Sequence, residues 1–191
     1  MRAYKGFNGD LACTYGKGTF SYALGETITE DSSKCASRGM HCAEYILDCM
    51  AWYPLGRGNR YCEVEALGSI DEDGKDTKIA CTKMRIVREL SLRQIAAAAV
   101  IYMVQHPDRD WERKGNCLEA AGGKAAGQGA GALAIARGKS PRVKGKAGST
   151  LALVREPERG VFDAVQIFEV AGEIRENTWY TLDENGGITE G

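Results

Sequence analysis

Glycine, alanine, serine, lysine and arginine make up almost all of residues 120–148, and this composition constrains the fold more than any other feature of the chain. A flexible linker has a similar composition. Here, however, the triplet LAI at 133–135 returns as LAL at 151–153, and GKS at 138–140 returns as GKA at 145–147. Small inward side chains at fixed intervals, with glycine where the chain turns, are typical of a β-solenoid coil. We therefore predict an ordered, wound segment.

The residues before this tract predict a different unit. Short β-prone runs occur at 3–7, 60–67 and 79–87, the last two joined by a charged turn. A helix is predicted over 42–53, because its apolar residues recur at helical spacing and Pro54 ends it. A second helix is predicted from Ser91 to just before Pro107. These elements favour a mixed α/β unit.

The fold class that follows is α+β. A small mixed α/β N-terminal domain is expected at 1–114. A short β-solenoid or β-roll is expected to follow it at 115–191, together with a C-terminal β-meander that begins near Val161. Because the coils of a short solenoid are covered only by their neighbours, we expect this second domain to form oligomers.

Charge and cysteine content narrow the class of protein. The chain has 25 basic and 26 acidic residues among 191, and its formal charge of -1 gives no strong nucleic-acid signature. Seven cysteines, an odd number, and a first segment without an apolar export signal indicate a reducing cytoplasm. The longest apolar run, at 95–104, is far shorter than the ~20 residues of a membrane-spanning helix. We therefore expect no membrane association.

Four segments carry a resemblance to a known group of proteins. AYKGF at 3–7, GMHCAEYILD at 39–48, RYCEVE at 60–65 and NTWYTL at 177–182 resemble an uncharacterised family of phage and prophage proteins. Members of that family commonly carry repeats of variable number between these ends, where the glycine- and alanine-rich tract lies in this chain. The resemblance implies a phage context and supplies no catalytic residues.

The tract itself carries a second resemblance. ALAIARGKSPRVKGKAGSTLAL at 132–153 is similar to the head repeats of trimeric autotransporter adhesins, which wind as a β-roll in a bundle of three chains. About one and a half repeats match. The resemblance implies that the chain is a homotrimer.

A fainter resemblance links the N-terminal part to ADP-ribosyltransferase-like folds. Tyr4-Lys5-Gly6 and Gly39-Met40-His41-Cys42 are similar to the two strands that grip NAD in those enzymes. The resemblance implies that Tyr4, Lys5 and His41 bind a ligand. The acidic catalytic residue stays open, and the candidates are Glu63, Glu65 and Glu89.

The tract also contains a cluster of positive charge. Five cations lie within ten residues, namely Arg137, Lys139, Arg142, Lys144 and Lys146. On a solenoid coil such long side chains point outward, so they predict either a stripe that attracts phosphate groups or a solvated face. The GKS triplet is not a phosphate-binding loop, because Leu133 stands where that motif requires glycine.

The remaining candidate chemistry is weak. Cys35, His41, Cys42 and Cys49 are residues of the types that bind zinc, but they lack the close pairs of a structural zinc site. We therefore predict no metal, no cofactor and no catalytic residue.

The leading functional hypothesis is a non-enzymatic binding protein of a phage or prophage, located in the host cytoplasm. It would inhibit a host defence, either by binding a host protein or by sequestering a small anionic nucleotide. One alternative is an NAD-using enzyme that resembles ADP-ribosyltransferases, and another is a structural protein of the virion tail.

Overall fold

The computed structural model describes residues 1–14 and 18–191. It divides the chain into two compact units, Met1–Ser91 and Leu92–Gly191, so the division lies after Ser91 rather than near residue 115. The predicted α+β class is wrong, because 47% of the chain is in strands and 11% is helical. The N-terminal unit is a β-barrel and not a mixed α/β domain.

Seven strands and one short 3-10 helix, Ile46–Ala51, form the described part of the N-terminal unit. The strands are β1 (Arg2–Phe7), β2 (Ala12–Cys13), β3 (Phe20–Ser21), β4 (Thr27–Thr29), β5 (Met40–Ala43), β6 (Arg60–Glu72) and β7 (Lys78–Glu89). Strands β7, β5, β1 and β6 pair in that order, and β6 also pairs with β7, so the four strands close into a barrel. All four pairings are antiparallel, and closure protects the edges of these strands.

The predicted helix over 42–53 is wrong. Cys42 lies in β5, where it pairs with Ile79 of β7, and only Ile46–Ala51 is helical, as a 3-10 helix. Cys42 and Cys49 are both buried, as predicted, but Cys42 belongs to β5 and Cys49 to the 3-10 helix. A short apolar run does not separate a strand from a helix by periodicity alone, and here pairing with β7 decides the outcome.

The second unit contains one α-helix among the described residues and seven strands. They are α1 (Leu92–Gln105), β8 (Arg113–Gly115), β9 (Leu118–Ala126), β10 (Leu133–Lys144), β11 (Thr150–Arg155), β12 (Ala164–Glu169), β13 (Tyr180–Leu182) and β14 (Ile188–Glu190). Strands β9, β10 and β11 are parallel neighbours without a crossover helix: Leu133 lies opposite Leu118 on one side and opposite Thr150 on the other. Parallel strands are usually joined by a helical crossover. Here loops without a helix join β9 to β10 and β10 to β11, so the chain winds as a coil.

Both faces of this sheet are buried. Ala134 and Leu151 lie opposite each other and pack with Phe168 and Tyr180, whereas α1 packs against β10, β11 and β12. The alanine-rich sequence of α1 permits a close approach to the sheet. No helix of the described residues is long and apolar enough to cross a bilayer.

The predicted C-terminal β-meander is wrong. Strand β12 pairs antiparallel with β11, whereas β13 pairs antiparallel with β10, so β12 and β13 do not form a hairpin. Strands β13 and β14 are paired with each other. Strands β12 and β13 therefore extend the parallel coil along two different edges.

Candidate functional site

The N-terminal unit contains a cavity of about 740 Å³ beside β1 and β5. This volume lies within the range of small-molecule sites. Among the described residues, its wall combines aromatic rings with charged groups of both signs. The aromatic residues are Phe20, Tyr22, Trp52 and Tyr53, the cations are Lys5, Arg38 and Lys78, and the carboxylates are those of Glu30, Asp31 and Asp48.

Lys5 supplies a buried positive charge to this wall. It takes the position between Ala3 and Phe7 in β1, which both belong to the barrel core, so the strand alternation directs Lys5 to the same side. Lys5 is only 7% exposed, and its Nζ donates a hydrogen bond of 2.7 Å to the backbone oxygen of His41. Within the described chain, Lys5 forms no ion pair. A buried cation without a carboxylate is costly and favours an anion beside it.

His41 adds a second polar group. Its Nε2 is buried and has no hydrogen-bond partner among the residues that the structure describes. Burial, together with the charges of Lys5 and Lys78, lowers the pKa of His41, so its imidazole is neutral near pH 7. Gly39 directs the chain into β5: its φ is +83°, and a Cβ there would lie 2.9 Å from the oxygen of Cys81.

Two cysteines of the cavity wall, Cys42 and Cys49, are not activated nucleophiles. Burial raises the pKa of Cys49 to about 12, and its Sγ donates a hydrogen bond of 3.3 Å to the oxygen of Tyr4. A hydrogen bond with Cys81 and burial raise the pKa of Cys42. Both thiols are therefore protonated at neutral pH and unsuited to attack. The described residues contain no group of three or more side chains that could hold a metal ion.

The residues that resemble an NAD site do not all come together. Lys5 and His41 line one cavity, but Tyr4 is the neighbour of Lys5 in the strand and points to the other side of it. The three candidate acids are each held in ion pairs outside the described cavity wall. These pairs are Glu63 with Arg2 and Arg88, Glu65 with Arg85, and Glu89 with Arg60.

The five cations of the second unit do not form one stripe. Arg137 is buried, at 4% exposure, and forms two hydrogen bonds of 2.7 Å with the carboxylate of Glu156. Lys139 and Lys146 are exposed. Arg142 and Lys144 lie beside Trp179, an aromatic residue that the sequence analysis did not connect with them.

These features define the N-terminal unit as a small all-β barrel domain with a charged and aromatic cavity. Residues 1–98, slightly more than half of the chain, match the model of a domain of unknown function (DUF7666), and the chain belongs to that family. Neither the curated proteins nor the solved structures gave a match.

Proposed function

We propose that the chain is a non-enzymatic binding protein whose N-terminal barrel holds a small aromatic anion, with a nucleotide as the ligand class. The observation that carries the proposal is Lys5, a buried cation in a cavity wall without an ion-pair partner among the described residues. A phosphate or carboxylate group next to Nζ would neutralise this charge. Trp52 and Tyr22 would stack on a planar ring, and the free Nε2 of His41 would hydrogen-bond to it.

The groups of the cavity wall suit the binding of a ligand rather than a group-transfer reaction. Its thiols at Cys42 and Cys49 have raised pKa values, and the acids that the enzyme hypothesis requires are engaged in ion pairs elsewhere. NAD is still one of the nucleotides that the cavity would suit, since Lys5 and His41 both line it.

The biological role is proposed from the resemblance to phage and prophage proteins. A protein of that kind would act in the host cytoplasm, where capturing a nucleotide signal or blocking a host protein would weaken a defence system. The homotrimer is likewise a proposal, supported by the similarity of 132–153 to adhesin head repeats. Light scattering of the purified protein tests it, and a monomer would overturn it.

Isothermal titration calorimetry with ATP, AMP and NAD tests the binding proposal. We expect Lys5→Met to lower the affinity for the nucleotide at least tenfold, because the substitution removes the cation that faces the ligand. Lys75→Met removes the same charge from an exposed turn, so it is the matched control and should bind normally.

Two outcomes would overturn the proposal. Equal affinity of the Lys5→Met and Lys75→Met variants would show that the cavity is not the site, and no binding by any of the three ligands would reject the ligand class. Release of nicotinamide from NAD, lost in His41→Ala, would favour the enzyme instead.

A further inference from the structure

Three positive charges of the second unit converge on one aromatic ring. The ring centroid of Trp179 lies 4.4 Å from Nζ of Lys124, 5.6 Å from Cζ of Arg142 and 4.8 Å from Nζ of Lys144. Trp179 is half-buried, and Lys124 is exposed to solvent. We call these four residues the Trp179 face.

The sheet holds the Trp179 face in place. Arg142 lies directly opposite Lys124 in the parallel pair of β10 and β9, and Val143 lies opposite Tyr180 in the antiparallel pair of β10 and β13. Val143 and Tyr180 are in the core. Because side chains alternate along a strand, their neighbours Arg142, Lys144 and Trp179 point to the outer side. The cluster is therefore a property of the strand register.

Apart from the ring of Trp179, these three charges have no compensating partner in the described chain. Like charges directly opposite each other destabilise a sheet, and none of the three cations forms an ion pair within residues 1–14 and 18–191. By contrast, Arg60, Arg137 and Arg175 each have a carboxylate partner. In addition, Nε of Arg142 is buried and lacks a hydrogen-bond partner in the described chain. The arrangement therefore favours an anion from outside.

We propose that the Trp179 face binds single-stranded nucleic acid, with each of the three cations contacting a backbone phosphate and a base on the ring of Trp179. Phosphates are attracted to clustered cations, and the accessible part of a tryptophan ring stacks with any base. An open strand surface suits an extended phosphodiester chain. This site is independent of the barrel cavity and does not rest on the function proposed for it.

Fluorescence anisotropy of a labelled oligothymidylate, measured at several salt concentrations, tests this proposal. With three phosphate contacts on a single strand, the logarithm of the binding constant should fall with the logarithm of salt concentration with a slope of about −2. The double variant Lys124→Gln, Lys144→Gln should bind at least tenfold more weakly, with a slope of about −0.7. The control Lys139→Gln, Lys146→Gln removes two exposed cations of the same tract and should bind like the parent protein.

A second variant, Trp179→Leu, separates stacking from charge. It should weaken oligothymidylate binding and leave the salt slope unchanged, because stacking releases no counterions. Urea unfolding midpoints identify any variant that fails to fold, and the two lysine double variants alone then decide the question. Equal weakening by both lysine pairs would overturn the proposal, since binding would then follow net charge. Equal competition by inorganic pyrophosphate would also overturn it, since the face would then recognise phosphate alone.

Discussion

Among the residues that the structure describes, each unit of the molecule buries one cation, and the two cations have very different partners. Arg137 also lines a pocket, but the described residues hold it through three hydrogen bonds: Glu156 binds it through two oxygens, and NH2 donates a bond of 3.1 Å to the oxygen of Pro107. The rings of Trp111 and Phe162 lie 5.0 and 4.8 Å from its Cζ. Lys5 donates to a single backbone carbonyl and faces a cavity.

This difference indicates that the charge of Arg137 stabilises the fold, whereas the charge of Lys5 is available to a ligand. A buried ion pair neutralises itself, so Arg137 has little left to offer a ligand beyond NH1, which lacks a partner in the described chain. Lys5 carries a full charge that the described residues leave unpaired, although Phe7 and Tyr22 place ring centroids 5.5 and 5.4 Å from its Nζ. Burial alone therefore does not mark a binding residue, but burial without a counter-charge does.

The largest expected effect on stability is that of Glu156→Gln, which breaks the ion pair of Arg137. It leaves the guanidinium of Arg137 buried without a carboxylate, and breaking such a pair costs about 3–5 kcal/mol. Urea unfolding followed by tryptophan fluorescence measures the loss. The control Glu190→Gln breaks the exposed pair with Arg175 and should cost much less, because water screens an exposed ion pair. Equal losses from both variants would show that Arg137 is not held as the geometry indicates.

The sequence was sufficient for the elements with strong local signals. Strands β1, β6 and β7 and helix α1 lie close to their predicted positions, since each has several residues of clear periodicity. Barrel closure was not predictable, because the pairing of β6 with both β1 and β7 depends on long-range hydrogen bonds. The coil repeat was predicted one residue out of register: Ala134, not Leu133, lies opposite Leu151.

The candidate site was partly accessible from the sequence. A family resemblance singled out Lys5 and His41, and they do meet. Tyr4 does not line the cavity, because adjacent residues of a strand point to opposite sides. This alternation could have been read from the sequence. Trp52 and Tyr22 come from separate segments, so the sequence alone does not show that they line the same cavity as Lys5. The partner of Arg137 could not be predicted from the sequence either, since Glu156 follows Arg137 by nineteen residues.

Acid should weaken the same ion pair by a smaller amount. The Arg137 guanidinium lowers the pKa of Glu156 below its ordinary value of about 4.3. The folded state therefore binds fewer protons than the unfolded state, so the stabilisation is present above about pH 4.3 and is lost as the pH falls through the lowered pKa. When urea titrations are repeated from pH 6 to pH 3, the difference in unfolding free energy between the parent protein and Glu156→Gln should stay constant near pH 6 and shrink below about pH 4.3. A constant difference would mean that Glu156 carries no shifted pKa.

The smallest expected effect belongs to Lys5→Met, which removes the unpaired member of the comparison. Methionine has nearly the same length and volume, and such replacements usually cost less than about 1.5 kcal/mol. The lost hydrogen bond to the His41 oxygen opposes the gain from no longer burying a charge, so the urea midpoint of the N-terminal unit should move little. Arg137→Met is the matched variant, and it should lose about 3–5 kcal/mol because it strands the carboxylate of Glu156. If Lys5→Met lost as much, Lys5 would be a structural cation like Arg137, and the argument for an anion in the barrel cavity would fail with it.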